Sequence, residues 1–322
     1  MEMFNSPLSP LISSFIQEKQ ASGYDYKTGT SLMRQFDRYW SEHGFQEQTL
    51  TFDNISEWLE LREGESSGGC INRISVVREF SCFLNGLGIQ SYIPPIEIDK
   101  KIPIVHIFSK PEISDLFSQI DRYRPKTKNK DHMRMSDEYP VLFRLIYLNG
   151  MRISEACNLS TSNIDLEKGI ITILNGKGNK DRLIYLADDM RQLCKDYLNY
   201  LAKVTGEYPQ WVFPGISTDS PINIVTAELR FNDCWKNTSY ADSCGKKPTV
   251  HCLRHTFVVN KINQWIREGL SFKQMLPYLS KYLGHRSFNE TYYYYHYVEE
   301  SAEAIRSSDK TIGKVIPEVM RR

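Results

Sequence analysis

Residues 170–186 read IITILNGKGNKDRLIYL, two short apolar runs joined by a turn that contains two glycines. The first run covers 170–174 and the second covers 182–186. Apolar runs on either side of a glycine-rich turn are typical of two antiparallel strands that form a hairpin. The sequence therefore predicts a small antiparallel β element with Lys177 in its turn.

Helical patterns flank this hairpin on both sides. Ser109 followed by Glu112 is the capping-box pattern that opens a helix. A buried helix is predicted over 140–148, and Asn149-Gly150 marks its end. Further helices are predicted over 153–159, 188–202 and 227–235. Most of the chain is thus expected to be helical, and the hairpin is the exception.

The N-terminal part of the chain shows helical periodicity alone. Leu32, Phe36 and Trp40 recur every four residues, which places them on one helix face. The sequence YIPP at 92–95 interrupts any helix because proline lacks the backbone N–H. We predict a mainly α protein with a helical bundle domain over 1–95, a linker over 96–104 and a second domain over 105–322.

Composition excludes several classes of protein. The chain has 322 residues, 41% hydrophobic and 25% charged, which is typical of a folded globular protein with about two domains. It has no apolar run of membrane-spanning length, so we expect neither secretion nor a membrane partner. The seven cysteines form no CxxC pair, which favours reduced thiols in the cytoplasm over disulfides or a structural zinc.

Charge is distributed unevenly along the chain. Residues 1–100 hold 8 Lys or Arg and 14 Asp or Glu, and the remainder holds 32 basic and 25 acidic side chains. The second domain is therefore the better candidate for binding a polyanion. Within it, 122–134 carries six basic side chains, and two interpretations are open: a solvated loop and a loop that follows phosphates.

Two basic residues are candidates for chemistry. One follows the predicted end of the helix over 140–148, and the other lies in the hairpin turn. Arg152 lies just after Asn149-Gly150-Met151, and an ion pair with Glu155 three residues later is its simplest interpretation. Lys177 is flanked by Gly176 and Gly178, which allow a mobile turn to enter a groove. The same Gly-Lys-Gly sequence is also compatible with a lysine that only keeps the turn soluble.

The C-terminal part holds three further motifs. His251 and Arg254 lie one helical turn apart in HCLRH, and His285 occurs in YLGHRSF. Tyr294 follows His285 by nine residues, inside the run Tyr292–Tyr295. That run fits an aromatic packing surface or a stacking platform. Each motif by itself is common.

The order and spacing of the whole set resemble the tyrosine recombinases, the phage integrase family. An arginine, a hairpin lysine, His-x-x-Arg, Gly-His and a tyrosine nine residues later occur in that order over roughly 102–297. The resemblance implies a SAM-like core-DNA-binding domain followed by a tyrosine-recombinase catalytic domain. It also implies a site-specific recombinase of integrase or transposase type that cleaves and rejoins DNA through a 3′-phosphotyrosyl intermediate.

The resemblance assigns a role to each candidate. Arg152 and Arg254 would bind the scissile phosphate, Lys177 would protonate the leaving 5′ oxygen, and Tyr294 would be the nucleophile. His251 would accept the tyrosine proton or orient the tyrosine. The other site residues that the resemblance implies are His285, a donor to the phosphate; Glu155, the family's acidic residue; and His296, which ends a Tyr-Thr-His pattern with Tyr295 in place of the threonine.

The same chemistry defines the expected partners. Tyrosine ionises near pH 10, so a nearby base or positive field must favour attack at neutral pH. Two guanidinium groups supply such a field at the phosphate, and no cofactor or metal is expected. The resemblance implies double-stranded DNA as substrate and a homotetramer at synapsis, with an accessory protein or a second recombinase as further possible partners. A prokaryotic recombinase would be associated with the nucleoid.

Several points stay open at this stage. Arg34 and Arg38, one turn apart, are the candidates for DNA contact in the acidic first domain. The tail after residue 297 fits either docking on a neighbouring subunit, as in relatives, or an intramolecular helix. A type IB topoisomerase shares the chemistry, and a DNA-binding regulator that lost catalysis shares the fold. Phage integration, transposition and chromosome dimer resolution are equally compatible settings.

Overall fold

The computed structural model describes residues 4–98, 105–176 and 180–298. The chain divides into two compact units, Met1–Pro103 and Ile104–Arg322. The predicted linker over 96–104 stays a prediction, since 99–104 lie outside the described residues. The tail after Val298, including its apolar residues, also lies outside them.

The first unit is a bundle of four helices. Phe36 and Trp40 are completely buried on the same face of the second helix, which agrees with their four-residue spacing. Arg34 and Arg38 lie on the exposed side of that helix. The helices are α1 (Ser9–Ala21), α2 (Lys27–Glu42), α3 (Phe52–Leu59) and α4 (Ser67–Gly86).

The second unit is mostly helical and contains one small sheet. Its helices are α5 (Lys110–Arg122), α6 (Lys130–Asn149), α7 (Ile153–Cys157), α8 (Asp188–Thr205), α9 (Ile224–Lys236), α10 (Val250–Arg267), α11 (Phe272–Leu283) and α12 (Phe288–Tyr292), with 3-10 turns at Thr161–Asn163 and Tyr293–Tyr297. Its strands are β1 (Ile164–Asp165), β2 (Ile170–Gly176) and β3 (Lys180–Tyr185). The predicted mainly α fold with a small antiparallel β element is confirmed.

The sheet has the order β1-β2-β3, and both pairings are antiparallel. Ile171 pairs with Ile184, and both side chains are fully buried. Leu183 and Tyr185 alternate with them and are exposed, so one face of the hairpin packs on the core. The hairpin was predicted, whereas β1 was not, because two residues are too few to show an alternating pattern.

The predicted loop over 122–134 is wrong in its last third. Helix α6 begins at Lys130, where the side-chain oxygen of Asn129 accepts a hydrogen bond from the backbone N–H of Asp131 at 2.8 Å. Arg134 is buried and forms an ion pair with Glu138 one turn later. Cap and ion pair together start the helix earlier than its apolar pattern indicates. DNA contact by the remaining basic residues stays a prediction.

Helix α6 is the central element of the second unit. It packs against α8 and α10 and buries Leu142, Phe143 and Leu145 completely. The end of α6 and the end of α11 meet at α10, where Arg254 bonds the Gly150 and Leu283 carbonyls, and α11 also contacts β3. The capping box of Ser109 and Glu112 is confirmed at the start of α5, where the Ser109 backbone N–H donates to the Glu112 carboxylate at 2.7 Å.

The described residues contain no helix that is long and apolar enough to cross a bilayer. All seven cysteines lie within the described ranges and are free thiols. Within 4–98, 105–176 and 180–298 there is no group of three or more His, Cys, Asp or Glu side chains that could hold a metal ion.

Candidate active site

Arg152 lies at the junction of α6 and α7. Gly150 ends α6 in the left-handed conformation at φ 62°, and Arg152 immediately precedes α7. The Arg152 guanidinium donates to Glu155 Oε1 and to the Gly284 carbonyl, both at 2.9 Å. The ion pair predicted from the sequence is therefore present, and the second bond anchors Arg152 to the end of α11.

Glu155 has a second arginine partner that the sequence analysis missed. Arg182 of β3 donates to both Glu155 oxygens, at 2.8 and 2.5 Å. Burial alone would raise the Glu155 pKa, but hydrogen bonds and charge from Arg182, and then Arg152, lower it to about 2. The available signal was alternation along β3, which puts Arg182 on the same buried face as Ile184, where an arginine needs a carboxylate.

Arg254 is the most deeply buried charge in this cluster. Only 1% of the residue is exposed, and α10 directs its guanidinium toward the Gly150 and Leu283 carbonyls. Its Nη2 also lies 3.2 Å from Nε2 of His285. Burial, with the nearby charge of Arg152, lowers the Arg254 pKa to about 10, which leaves it charged at neutral pH.

His285 follows Gly284, whose left-handed φ of 63° ends α11. Its Nδ1 lies 2.7 Å from Thr291 Oγ1, and its Nε2 faces the Arg254 guanidinium. Since a guanidinium only donates, Nε2 accepts and the ring proton is assigned to Nδ1. A hydrogen bond from Nε2 to a phosphate would therefore require this bond to break and Nε2 to gain a proton.

Tyr294 is buried against these residues, with 3% of its surface exposed. Its ring is parallel to that of His285, with centroids 6.5 Å apart, and its hydroxyl lies 2.7 Å from Nδ1 of His255. Burial raises the Tyr294 pKa to about 12, although Arg254 and Arg152 act in the opposite direction. The tyrosine is therefore protonated at neutral pH in this arrangement.

The consecutive tyrosines face different surroundings. Tyr292 is 46% exposed and stacks on Tyr295 with ring centroids 5.7 Å apart. The Tyr293 hydroxyl meets that of Tyr297 at 2.9 Å. Of the run, Tyr294 is the member whose ring lies beside His285. Its role as the nucleophile stays a prediction.

His255 is a second residue that the sequence analysis did not select. It lies one turn after His251 on α10, and the two rings are nearly perpendicular, with centroids 4.4 Å apart. The tyrosine contact was expected from His251, but the described hydrogen bond of the Tyr294 hydroxyl is with Nδ1 of His255. The available signal was the four-residue spacing, which puts both histidines on one helix face.

Two predicted site residues have side chains outside the described part of the chain. Lys177 lies outside the described residues, in the gap between β2 and β3. The side chain of His296 also lies outside the described part of the chain.

The described residues bring Arg152, Arg254, His285 and Tyr294 into one cluster, with Glu155 beneath Arg152. Paired guanidinium groups match the oxygens of a phosphate, and a tyrosine hydroxyl beside them is a potential nucleophile. The arrangement is chemically suited to transfer of a phosphodiester to tyrosine.

Known proteins resemble this chain in sequence and in fold. The sequence model described as the phage integrase family matches residues 112–301. Tyrosine recombinase XerD of Rhizobium meliloti is 25% identical over 270 residues, covering 81% of each chain. Tyrosine recombinase XerA of Thermococcus kodakarensis is 24% identical over 237 residues, covering 70% of each. The crystal structure of XerH site-specific recombinase bound to difH substrate shares the fold, with a TM-score of 0.63 and 21% identity, covering 93% of this chain and 84% of that chain.

Proposed function

The chain belongs to the phage integrase family and is a tyrosine recombinase; from this premise we propose that Tyr294 attacks a DNA phosphodiester at a specific site. The attack gives a 3′-phosphotyrosyl bond and a free 5′-hydroxyl. The observation that carries the proposal is the convergence of two arginines and a histidine on one buried tyrosine. Their chain positions span more than a hundred residues, so only the fold brings them together.

The arginines act on the phosphate. As phosphorus becomes five-coordinate, its nonbridging oxygens gain negative charge, and the guanidinium groups of Arg152 and Arg254 stabilise that state more than the ground state. Glu155 holds Arg152, and three backbone carbonyls hold the two guanidinium groups, so both arginines are held in place before DNA binds. His285 adds a donor once its Nε2 is protonated.

The leaving oxygen requires a proton. A 5′-alkoxide is strongly basic, and a lysine ammonium carried by the β2–β3 turn is a suitable general acid. We assign this role to Lys177, as the resemblance implies. The phosphotyrosyl bond retains the energy of the broken strand, so another 5′-hydroxyl can attack it and rejoin the DNA. No nucleotide, metal or other cofactor takes part in this scheme.

The partner in this scheme is double-stranded DNA. XerH, whose fold this chain shares, is described in complex with its difH substrate, which supports the same class of ligand here. The excess of basic residues after residue 100 supports the second unit as the main phosphate-binding surface. A homotetramer that joins two DNA sites is the assembly proposed for strand exchange.

A catalytically inactive DNA-binding regulator is the less favoured function. Such a protein has no need for an arginine at both phosphate positions and a tyrosine beside them, and all three are present. Relaxation of DNA by a monomer, as in type IB topoisomerases, is also less favoured, because XerA and XerD, matched over 70% and 81% of this chain, are named as tyrosine recombinases.

Trapping of the covalent intermediate tests the proposal. The protein is incubated with nicked candidate-site DNA that carries a 5′-bridging phosphorothiolate, whose thiolate leaves irreversibly. We expect a denaturation-resistant protein–DNA adduct that Tyr294→Phe abolishes, because the phenyl ring keeps its packing but has no nucleophile. Gel electrophoresis of end-labelled DNA measures the adduct.

Neighbouring tyrosines provide matched controls. Tyr293→Phe and Tyr295→Phe remove a hydroxyl from the same segment and should leave adduct formation intact. Loss of the adduct in Tyr293→Phe, with retention in Tyr294→Phe, would show that Tyr293 is the nucleophile and would overturn the assignment to Tyr294.

A further inference from the structure

One close contact of the Tyr294 hydroxyl has no role in the proposed cleavage. Nδ1 of His255 lies 2.7 Å from the Tyr294 hydroxyl, and the ring centroids are 5.4 Å apart. This is hydrogen-bonding distance to the atom that attacks phosphorus. The contact joins α10 to the 3-10 turn Tyr293–Tyr297 across 39 residues of sequence.

Both partners of this hydrogen bond are neutral at pH 7, so its direction depends on the tautomer of His255. Burial, followed by the effects of His251 and Arg254, lowers the His255 pKa to about 3, so the ring is neutral. Tyr294 keeps its proton because burial raises its pKa to about 12. With the ring proton on Nε2, the hydroxyl donates and Nδ1 accepts, and this is the tautomer that can take the tyrosine proton.

We propose that His255 is the catalytic base that accepts the Tyr294 proton, a role that the sequence analysis gave to His251. This inference rests on the proposed function. As the tyrosine oxygen bonds to phosphorus, its O–H bond breaks and a new N–H bond forms at Nδ1. The bond between phosphorus and the 5′ oxygen breaks, and the Lys177 ammonium protonates that oxygen. His255 becomes an imidazolium with a proton on each nitrogen.

The surroundings of His255 couple its basicity to DNA. His251 and Arg254 of the same helix lower the His255 pKa, and Tyr294 from the 3-10 turn Tyr293–Tyr297 is its hydrogen-bond partner. The Tyr294 pKa is lowered by Arg254 and Arg152 and raised by Glu290 and Cys252. A phosphodiester bound by Arg254 and Arg152 adds a negative charge beside the cations that disfavour an imidazolium. His255 is thus a poor base in the free protein and a better one with substrate in place.

Single-turnover cleavage at saturating phosphorothiolate DNA tests this assignment. In His255→Gln the side-chain oxygen can still accept the phenol hydrogen bond but cannot take a proton. We expect cleavage near pH 7 to slow on the order of 100-fold, with the rate rising about tenfold per pH unit as hydroxide replaces the base. His132→Gln, at an exposed histidine of the same unit, should cleave at the wild-type rate.

The outcomes separate the two proposals. No adduct with the wild-type protein would refute the proposed function and the proton step together. A wild-type rate and pH profile in His255→Gln, with adduct forming normally, would refute only the role of His255. If His255→Gln fails to fold, ¹⁵N-histidine NMR of the wild-type protein decides: a charged ring, or a proton on Nδ1, at pH 7 would overturn the assignment.

Discussion

At the scale of single residues, Glu155 is the charge on which the arginine arrangement depends. It is the only carboxylate that the described structure pairs with both Arg152 and Arg182. Its side chain is 8% exposed, so the pair interactions act in a medium of low dielectric constant. Removing one member of a buried ionic group leaves the others unpaired, at a typical cost of about 3–5 kcal/mol.

Glu155→Gln is expected to lower the free energy of unfolding at pH 7 by about 3 kcal/mol. In the folded protein the Glu155 pKa is lowered to about 2, so the carboxylate stabilises the wild type at every pH above the ordinary pKa of a glutamate. This stabilisation is lost as the pH falls toward 2. Wild type should therefore lose about 2 kcal/mol between pH 7 and pH 3 that the variant does not lose. Urea denaturation at both pH values measures the difference.

Glu167→Gln is the matched control, since Glu167 is 88% exposed and pairs only with Lys195 among the described ion pairs. Its pH dependence should follow wild type. An identical pH dependence for Glu155→Gln and wild type would contradict the stabilising role of the buried carboxylate.

Single residues differ in how far sequence alone could place them. The pair of Arg152 and Glu155 was predictable because both lie within one helical turn. Arg182 and His255 were not selected, since their partners lie 27 and 39 residues away and only tertiary packing brings them together. Tyr294 was predictable only from its spacing to His285, because four adjacent tyrosines are chemically alike.

At the scale of elements, the turn from α6 to α7 positions the first arginine. Gly150 has a positive φ, and a Cβ at this position would overlap the ring of Phe257 on α10. The same glycine offers its carbonyl to Arg254. A single turn residue therefore sets the approach of α6 to α10 and the position of both phosphate-binding arginines.

Gly150→Ala is expected to reduce the free energy of unfolding by about 3 kcal/mol, from left-handed strain and overlap with a buried ring. Cleavage should fall as well, since the carbonyl that holds Arg254 moves. Gly206→Ala is the control: Gly206 also has a positive φ, 84°, but no described atom lies within 4 Å of the place that a Cβ would take. It should lose only about 1 kcal/mol. Equal losses in the two variants, measured by urea denaturation, would show that the Phe257 contact is not tight.

Elements were predictable where a local signal exists. The hairpin, the capping box at Ser109 and the stop at Gly150 all follow from residues adjacent in sequence. The early start of α6 was missed because a run of basic residues resembles a loop, and its helical state depends on the Asn129 cap and the buried pair of Arg134 with Glu138.

At the scale of the whole molecule, each unit has its own hydrophobic core. The first unit packs Phe15, Phe36 and Trp40 in one cluster. The second unit has a large cluster that includes Leu142 and Phe231 and a smaller one around Phe257 and Tyr294. Separate cores are the physical requirement for units that fold alone.

We therefore expect residues 1–98 and 105–322, expressed separately, each to unfold in one cooperative transition. Differential scanning calorimetry and circular dichroism measure this directly. A first unit that lacks helical signal or a cooperative transition by itself would show that its stability depends on the second.

The anchoring of the two phosphate-binding arginines has a consequence for how this site tolerates change. Their acceptors at Gly150, Leu283 and Gly284 are backbone carbonyls, which every amino acid carries. The identity of Leu283 can drift during evolution without loss of its acceptor. Insertion or deletion of one residue before His285 would instead move two carbonyls and the imidazole together, so the site is more sensitive to chain length here than to the identity of Leu283.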